Sequence, residues 1–364
     1  GIPINRSIDK LILSQWTTKE GLNGLNTNKI IDVKQSYDNY LWLATYDGLL
    51  RFDGVKFELF NSSNTPEMLQ DTYYEIYEGQ DSTLWFLTRG EGVLKYKNGI
   101  FSELDNKDAL PKNIRTIYLD SKNRLWIVGF EKVFFVDNEK TSEIEYEALS
   151  NGQVLKVCED SYGNIYFGLD GGGVIKFDGE NYHHFTFEDN IVISMTKGLN
   201  GEVIVGTFNG ISIINDRNEI RTITYSKGAR VNDILVDDSN NILLGTDIGL
   251  YRINEVNSIY EKLIEGDKLP TREVNDLEID HEGSIWLGME RGGLIQLKQG
   301  KLSSYTKNEG LSLDRVNIIA EKEEGVFWVG SDNGEIDIIN TKINRIDKFT
   351  SKHNIENKGI RDFL

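Results

Sequence analysis

The sequence predicts an all-β chain, a β-propeller of four-stranded antiparallel blades, and three observations carry that prediction. One template recurs along nearly the whole chain, its copies are spaced by about 41 residues, and within each copy apolar residues alternate with period two between turn-forming clusters. The template is seen by aligning residues 30–52, 115–136, 231–253 and 274–297, and it runs V-x-x-I-x-x-D-x-x-G/N-x-hydrophobic-W-hydrophobic-G-T-x-x-G-L. Its Trp slot falls at Trp42, Trp85, Trp126, Tyr166, Ile204, Leu243, Trp286 and Trp328, so eight repeats are visible. A ninth begins at Ile360 to Leu364, which echoes Val231 to Leu235.

Each element follows from local chemistry. In the sixth repeat strand A is expected over Val231 to Val236, strand B over Ile242 to Thr246, strand C over Leu250 to Ile253 and strand D near Tyr260 to Ile264. The A-to-B turns carry Asp160-Ser161-Tyr162-Gly163-Asn164, Asn200-Gly201 and Asp280-His281-Glu282-Gly283, where Gly or Asn supplies the positive φ of a tight hairpin. No long amphipathic helix is present, and Thr65 to Tyr73, with Pro66 early, is expected to form one short helical turn.

A ring of sheets must join its first and last blades or leave an unpaired edge. The segment Lys10 to Leu22 resembles Lys301 to Leu311, an outer strand and its following loop, so a strand near residues 11–16 is expected to close the ring. Two closures fit. In one, eight repeats make an eight-bladed ring over residues 1–340, and 341–364 are an extra outer strand and the start of the ninth repeat. In the other, seven blades close the ring and the eighth repeat opens a second, truncated propeller.

Composition narrows the function. The 364 residues hold 40 Lys+Arg against 58 Asp+Glu, a net charge of −18, which argues against nucleic acid or an anionic membrane as partner. With 39% hydrophobic residues, 16 Phe, 16 Tyr and 6 Trp, the chain has ample core material. Cys158 is the single cysteine, so neither an internal disulfide nor a C-x-x-C site is available. The longest apolar stretch, Leu125 to Val136, is broken by Glu131 and Lys132, and no membrane contact is expected within the chain. Gly1-Ile2-Pro3-Ile4 has neither a basic nor an apolar leader character, so any signal peptide is expected to have been removed.

Catalytic and metal chemistry find little support. His183, His184, His281 and His353 are scattered, and the turn Asp237 to Asn241 lacks the 12-residue loop and terminal Glu of a calcium site, so no metal site and no cofactor are expected. The Trp slots sit mid-strand and are assigned to packing between blades. Glycine strings such as Gly171-Gly172-Gly173 precede no helix and are B-to-C turns rather than phosphate cradles. Asp81 to Trp85 loosely resembles a sialidase aspartate box without the arginine cluster that chemistry needs, and the chain is expected not to be an enzyme.

The motifs Trp42 to Leu49, Ile204 to Ile211 and Trp328 to Gly334 match the W-I-G-T-x-x-G-L core of the two-component regulator propeller repeat, and the chain resembles that family over nearly its whole length. Trp16 to Leu22 also looks like the opening of such sensors, whereas repeats 3 to 6 depart from the pattern, with Gly129 in place of Thr and Leu243 in place of Trp. The resemblance implies a periplasmic sensor region of a hybrid histidine kinase. A captured ligand, often an oligosaccharide in this family, would alter the geometry of a homodimer formed by the intact sensor.

If strand A starts at the top of the ring, B-to-C and D-to-A loops share that top face. The residues four after each Trp slot are then candidate ligand contacts: Tyr46, Arg89, Phe130, Asp170, Phe208, Asp247, Glu290 with its neighbour Arg291, and Asp332. They differ from blade to blade while the flanking glycines recur, as expected of a scaffold bearing a specific site. Aromatic faces, carboxylates and Arg89/Arg291 suit an oligosaccharide with acidic groups. The alternative is a protein-interaction scaffold without a small ligand or, with less support, a glycan-active enzyme.

Overall fold

The computed structural model describes residues 11–349 except 19–25, 69, 89–91, 105–109, 112, 131, 138–139, 147–148, 150–152, 225–227, 238–239, 255–258, 265–268, 270, 300–306, 308–309, 313–315, 324–325, 332–333 and 341–344. All thirty-two elements among these residues are strands, arranged in eight four-stranded antiparallel sheets. The chain divides into two compact units, residues 1–299 and 300–364.

The first unit holds seven sheets. Their A strands are Asp32–Gln35, Tyr73–Glu78, Thr116–Leu119, Val154–Glu159, Ser194–Lys197, Val231–Val236 and Val274–Ile279. Each neighbours the next in a closed circuit, the seventh meeting the first, so the sheets are blades around a channel. Six blades follow chain order from A to D, but the seventh takes its outer strand from the other end of the chain. Leu11–Trp16 pairs antiparallel with Leu294–Gln299, in register from Leu11 opposite Gln299 to Trp16 opposite Leu294. The closing strand thus pairs with the seventh repeat rather than the eighth, and the unit boundary falls at 299/300 instead of 340. The second unit holds one further sheet, from Val316–Glu323 through Val326–Ser331 and Ile336–Asn340 to Arg345–Lys348, with Leu311, Val329 and Ile339 at its core.

The template explains itself in this fold. Its Asp opens the A-to-B turn, where Asp120, Asp160 and Asp280 each accept backbone N–H groups two and four residues on through Oδ1. Their Oδ2 atoms reach the slot aromatic six residues on, at 2.9 Å from Trp126 Nε1, 3.2 Å from the Tyr166 hydroxyl and 2.8 Å from Trp286 Nε1. Blades 1 and 2 have Ser36 and Gly79 at the Asp position, and there the buried Trp42 Nε1 and Trp85 Nε1 have no hydrogen-bond partner among the described residues. The T-x-x-G signature closes the B-to-C turn, with the Thr45 and Thr246 hydroxyls donating to the carbonyls of Gly48 and Gly249 at 2.7 Å. Gly48 has φ +134°, and a Cβ there would stand 2.3 Å from the Phe60 carbonyl oxygen, so only glycine fits.

The core lies between blades. Trp42, Trp126, Tyr166, Ile204 and Leu243 are all buried, packed with apolar residues of the neighbouring blade, as in the cluster of Trp126 with Phe167 and Ile175. Residues 62–67 form hydrogen-bonded turns in place of the expected helical turn, and Tyr73 already begins a strand.

Candidate ligand site at the mouth of the ring channel

The seven A strands leave one edge without a sheet partner, facing the channel, and its N–H groups need acceptors. The third position of each repeat is polar, Asp32, Glu75, Thr116, Lys156, Ser194, Asp233 and Asp276, and its four carboxylates supply such acceptors, while Thr116 and Lys156 donate to Glu75. Asp32 accepts from Ile76 N at 2.6 Å, Glu75 from Ile117 N at 3.0 Å, Asp233 from Leu277 N at 3.0 Å and Asp276 from Val33 N at 2.8 Å, each across to the next blade. Ser194 donates to the Val231 carbonyl at 2.8 Å. This belt stitches the blades together around the channel.

The belt is electrostatically loaded. Burial pushes the Asp32 carboxyl up to about 7, against the hydrogen bond from Ile76, with the negative charge of Glu75 adding to the rise. Asp32 also hydrogen-bonds Asp276, whose own pKa is raised well above the ordinary value by burial and by the charges of Asp32 and Asp233. Both keep partial exposure to the channel, and burial together with repulsion from neighbouring carboxylates favours the protonated form of each. Lys156 is the counterweight: burial opposes its charge, yet Glu75 at 2.7 Å, with Asp32 and Asp233 nearby, holds its pKa above that of an ordinary lysine.

The channel, belt included, holds a cavity of about 770 Å³ lined along the A strands, from Ile31 to Lys34 in blade 1 and at equivalent positions in the others, large enough for a small ligand. Three positions per blade shape its mouth: the residues on either side of the first A-strand position of each repeat, and the tip of the B-to-C turn. In blades 6 and 7 all six are polar and tied together. Arg230 pairs with Glu273 at 2.5 Å, donates through Nε to Asn232 at 2.8 Å, and donates its backbone N–H to Asp247 at 3.0 Å. Asn275 donates to Glu290 at 3.0 Å, and Lys29 of blade 1 reaches the same carboxylate at 2.7 Å. Burial works against the Glu290 charge, but Lys29 and Asn275 hold its carboxyl below the usual range. Blades 1 to 3 add an aromatic and cationic sector, where Lys29 lies 4.7 Å over the Tyr46 ring, Tyr46 meets Tyr74 edge-on, and Arg115 lies 4.8 Å over Phe130. Blade 5 turns apolar, with Ile191, Ile193 and the 43% exposed Phe208 lining the cavity, and Leu155 of blade 4 extends this wall between the polar Gln153 and Asp170.

The sequence-derived contacts distribute unevenly over this mouth. Phe208 lines the cavity, while Tyr46 and Glu290 are joined through Lys29 at its rim. Phe130 is half-exposed beneath Arg115, and Arg291 is exposed beside Glu290. Asp247 caps the Arg230 N–H, and Asp170 is exposed and bridges to Ile191 through its backbone. Arg89 and Asp332 lie outside the described residues, as do His353 and the start of the ninth repeat, and Asp332 belongs to the second unit. Sequence reasoning missed Tyr74, Arg115, Asn232 and Asn275, which line the cavity from the A strands. Their signal was the variable residue after the repeat's opening hydrophobic position.

No protein-family model matches the chain. Among curated proteins, histidine kinase P4 of Formosa agariphila is 24% identical over 198 residues, covering 49% of this chain and 14% of the kinase. Among solved structures, the extracellular domain assigned to the hybrid two-component system BT3049 of B. thetaiotaomicron is similar, with TM-score 0.69 and 19% identity over 93% of this chain and 49% of that domain. The chain therefore spans about half the length of that domain. Virginiamycin B lyase from Staphylococcus aureus shares the fold too, with TM-score 0.64, 16% identity, and coverage of 79% of this chain and 99% of the lyase. These likenesses support the all-β propeller and the two-component propeller resemblance that the repeats carry.

Proposed function

We propose that the chain is the ligand-sensing input module of an extracytoplasmic two-component signalling protein of the hybrid histidine kinase kind. The ligand is a small molecule, an oligosaccharide with acidic groups, held at the upper mouth of the seven-bladed ring. The observation that carries this reading is the contrast between the repeated belt and the unrepeated mouth: seven blades offer equivalent positions, and each fills them differently. Arg115 favours an acidic group, because its guanidinium contacts Gln153 and Phe130 and no carboxylate among the described residues pairs with it. Occupation of the mouth alters a homodimer of the intact sensor, and the module works in the periplasm without a cofactor or catalytic role of its own. With a net charge of −18, neither nucleic acid nor an anionic membrane surface is part of this reading.

Calorimetry with an array of neutral and uronic-acid oligosaccharides tests it. Phe208→Ala and Arg115→Ala are each expected to weaken the best ligand by about tenfold or more while leaving the melting temperature unchanged. Undiminished binding in both variants would remove the site from the mouth.

A further inference from the structure

The aromatic slots share a feature that the mouth does not involve. A cation lies against the ring of nearly every one: Arg51 at 5.7 Å over Trp42, Lys95 at 5.5 Å over Trp85, Arg124 at 5.4 Å over Trp126, and Lys176 at 5.5 Å over Tyr166. In the second unit Lys322 lies 5.9 Å over Trp328. In blades 1, 2 and 4 the cation comes from the strand C residue directly opposite the slot. The seventh blade breaks the rule. Opposite Trp286 stands Gln296, and among the described residues no cation lies over the Trp286 ring.

Where that cation would sit, the structure has a cavity of about 340 Å³, at the end of blades 7 and 1 opposite the mouth. Trp16 from the closing strand stacks on Trp286 at 5.4 Å, and Phe52 meets Trp16 edge-on at 5.2 Å, so the cavity has an aromatic wall. Its lining includes Asp53, Asp280 and Glu282; Glu282 is paired with Lys298 at 2.8 Å, and Asp280 is held by its turn and by Trp286 Nε1. Asp53 accepts both of its turn N–H groups through Oδ1. We infer that this cavity is a binding site for an organic cation, a guanidinium or alkylammonium group that takes the seat filled in the other blades by the chain's own Arg or Lys. Attraction between the cation and the aromatic faces supplies the affinity, and Asp53, whose turn bonds use only Oδ1, together with Glu282 in exchange for Lys298, favours its charge. This site is independent of the mouth and of the sensing role proposed for it.

The test uses n-butylguanidinium, the tripeptide Gly-Arg-Gly and the neutral isostere n-butylurea, read by tryptophan fluorescence and calorimetry. The guanidinium ligands should bind at least about tenfold more tightly than n-butylurea. Binding of the tripeptide alone would still support the site and would make its ligand the side chain of a protein. Gln296→Arg should fill the seat in cis as Arg51 does, abolishing binding and raising the melting temperature, whereas Gln296→Ala should keep binding. Glu282→Gln, a change on an exposed turn, should weaken the cations without affecting n-butylurea. Equal binding of urea and guanidinium, no binding of any probe, or undiminished binding in Gln296→Arg would each overturn the inference.

Discussion

Replacing Asp32 by Asn should stabilise the ring at alkaline pH and leave it unchanged at acid pH. The Asp32 carboxyl is raised from an ordinary 3.8 to about 7 by burial in the channel wall. Its folded pKa therefore exceeds its unfolded one, so its contribution to stability is complete below about pH 4 and is lost as pH rises through 7. A rise of roughly three units corresponds to at most about 4 kcal/mol, and screening by channel water reduces this to about 2 kcal/mol. Asparagine copies the protonated carboxyl: its Oδ1 accepts from Ile76 N and its Nδ2 donates to Asp276. Urea titrations of wild type and variant, followed by intrinsic fluorescence at pH 4 and pH 8, read the contribution of Asp32 together with its coupling to Asp276 and Lys156, because groups that do not interact with Asp32 cancel in the difference. The variant should gain about 2 kcal/mol at pH 8 and nothing at pH 4. A gain independent of pH, or a variant less stable than wild type at pH 8, would refute the raised pKa of Asp32 in the belt.

Two further outcomes concern the frame. Removing residues 1–18 strips the outer strand from the seventh blade and uncovers Trp286, so it should lower the melting temperature far more than removing residues 350–364, as differential scanning fluorimetry would read. Ser36→Asp, combined with Asp38→Asn to avoid a like charge in the same turn, gives the orphaned Trp42 Nε1 the acceptor that Asp120 gives Trp126. Chemical denaturation should show a gain of about 1 kcal/mol, and no gain would separate the turn aspartate from the slot.

Much of this fold was legible from spacing. Period and alternation placed strand A of the sixth blade over Val231–Val236 and strand B over Ile242–Thr246, where the structure has them, because strand positions within a blade follow from local alternation and turn residues. Closure was not legible. Repeat 8 has the same local signals as repeat 7, and only long-range pairing of Leu11–Trp16 with Leu294–Gln299 decides which blade receives the strand. The belt was overlooked for a different reason. Asp233 and Asp276 occupy a position the template leaves variable: Asp, Glu and Ser there reach the next blade's edge, while Thr116 and Lys156 donate to the Glu75 carboxylate within the belt. Looking only for identical residues hides a position at which hydrogen-bonding capacity recurs while residue type does not.

The same reasoning explains why the mouth is free to vary. In a ring of sheets the channel edge is where backbone donors would go unsatisfied, and the belt meets that need one residue below the mouth. Tyr74, Arg115, Leu155, Ile193, Asn232 and Asn275 sit one residue above it. Asn232 and Asn275 still donate to the Val274 and Ile30 carbonyls of the next blade, but Tyr74, Leu155 and Ile193 make no such side-chain bond among the described residues and Arg115 bonds only the Gln153 side chain, so these positions can change from blade to blade with the ring intact. Where mouth residues do take up partners, as Arg230 does with Glu273 and Lys29 with Glu290, the ties run between neighbouring blades and fix side-chain positions at the rim. A rigid polar sector in blades 6 and 7 facing the apolar wall of Leu155, Ile193 and Phe208 gives the cavity a direction. A ligand there would be oriented as well as held, which is what a sensor needs if occupation of one site is to change the geometry of the whole.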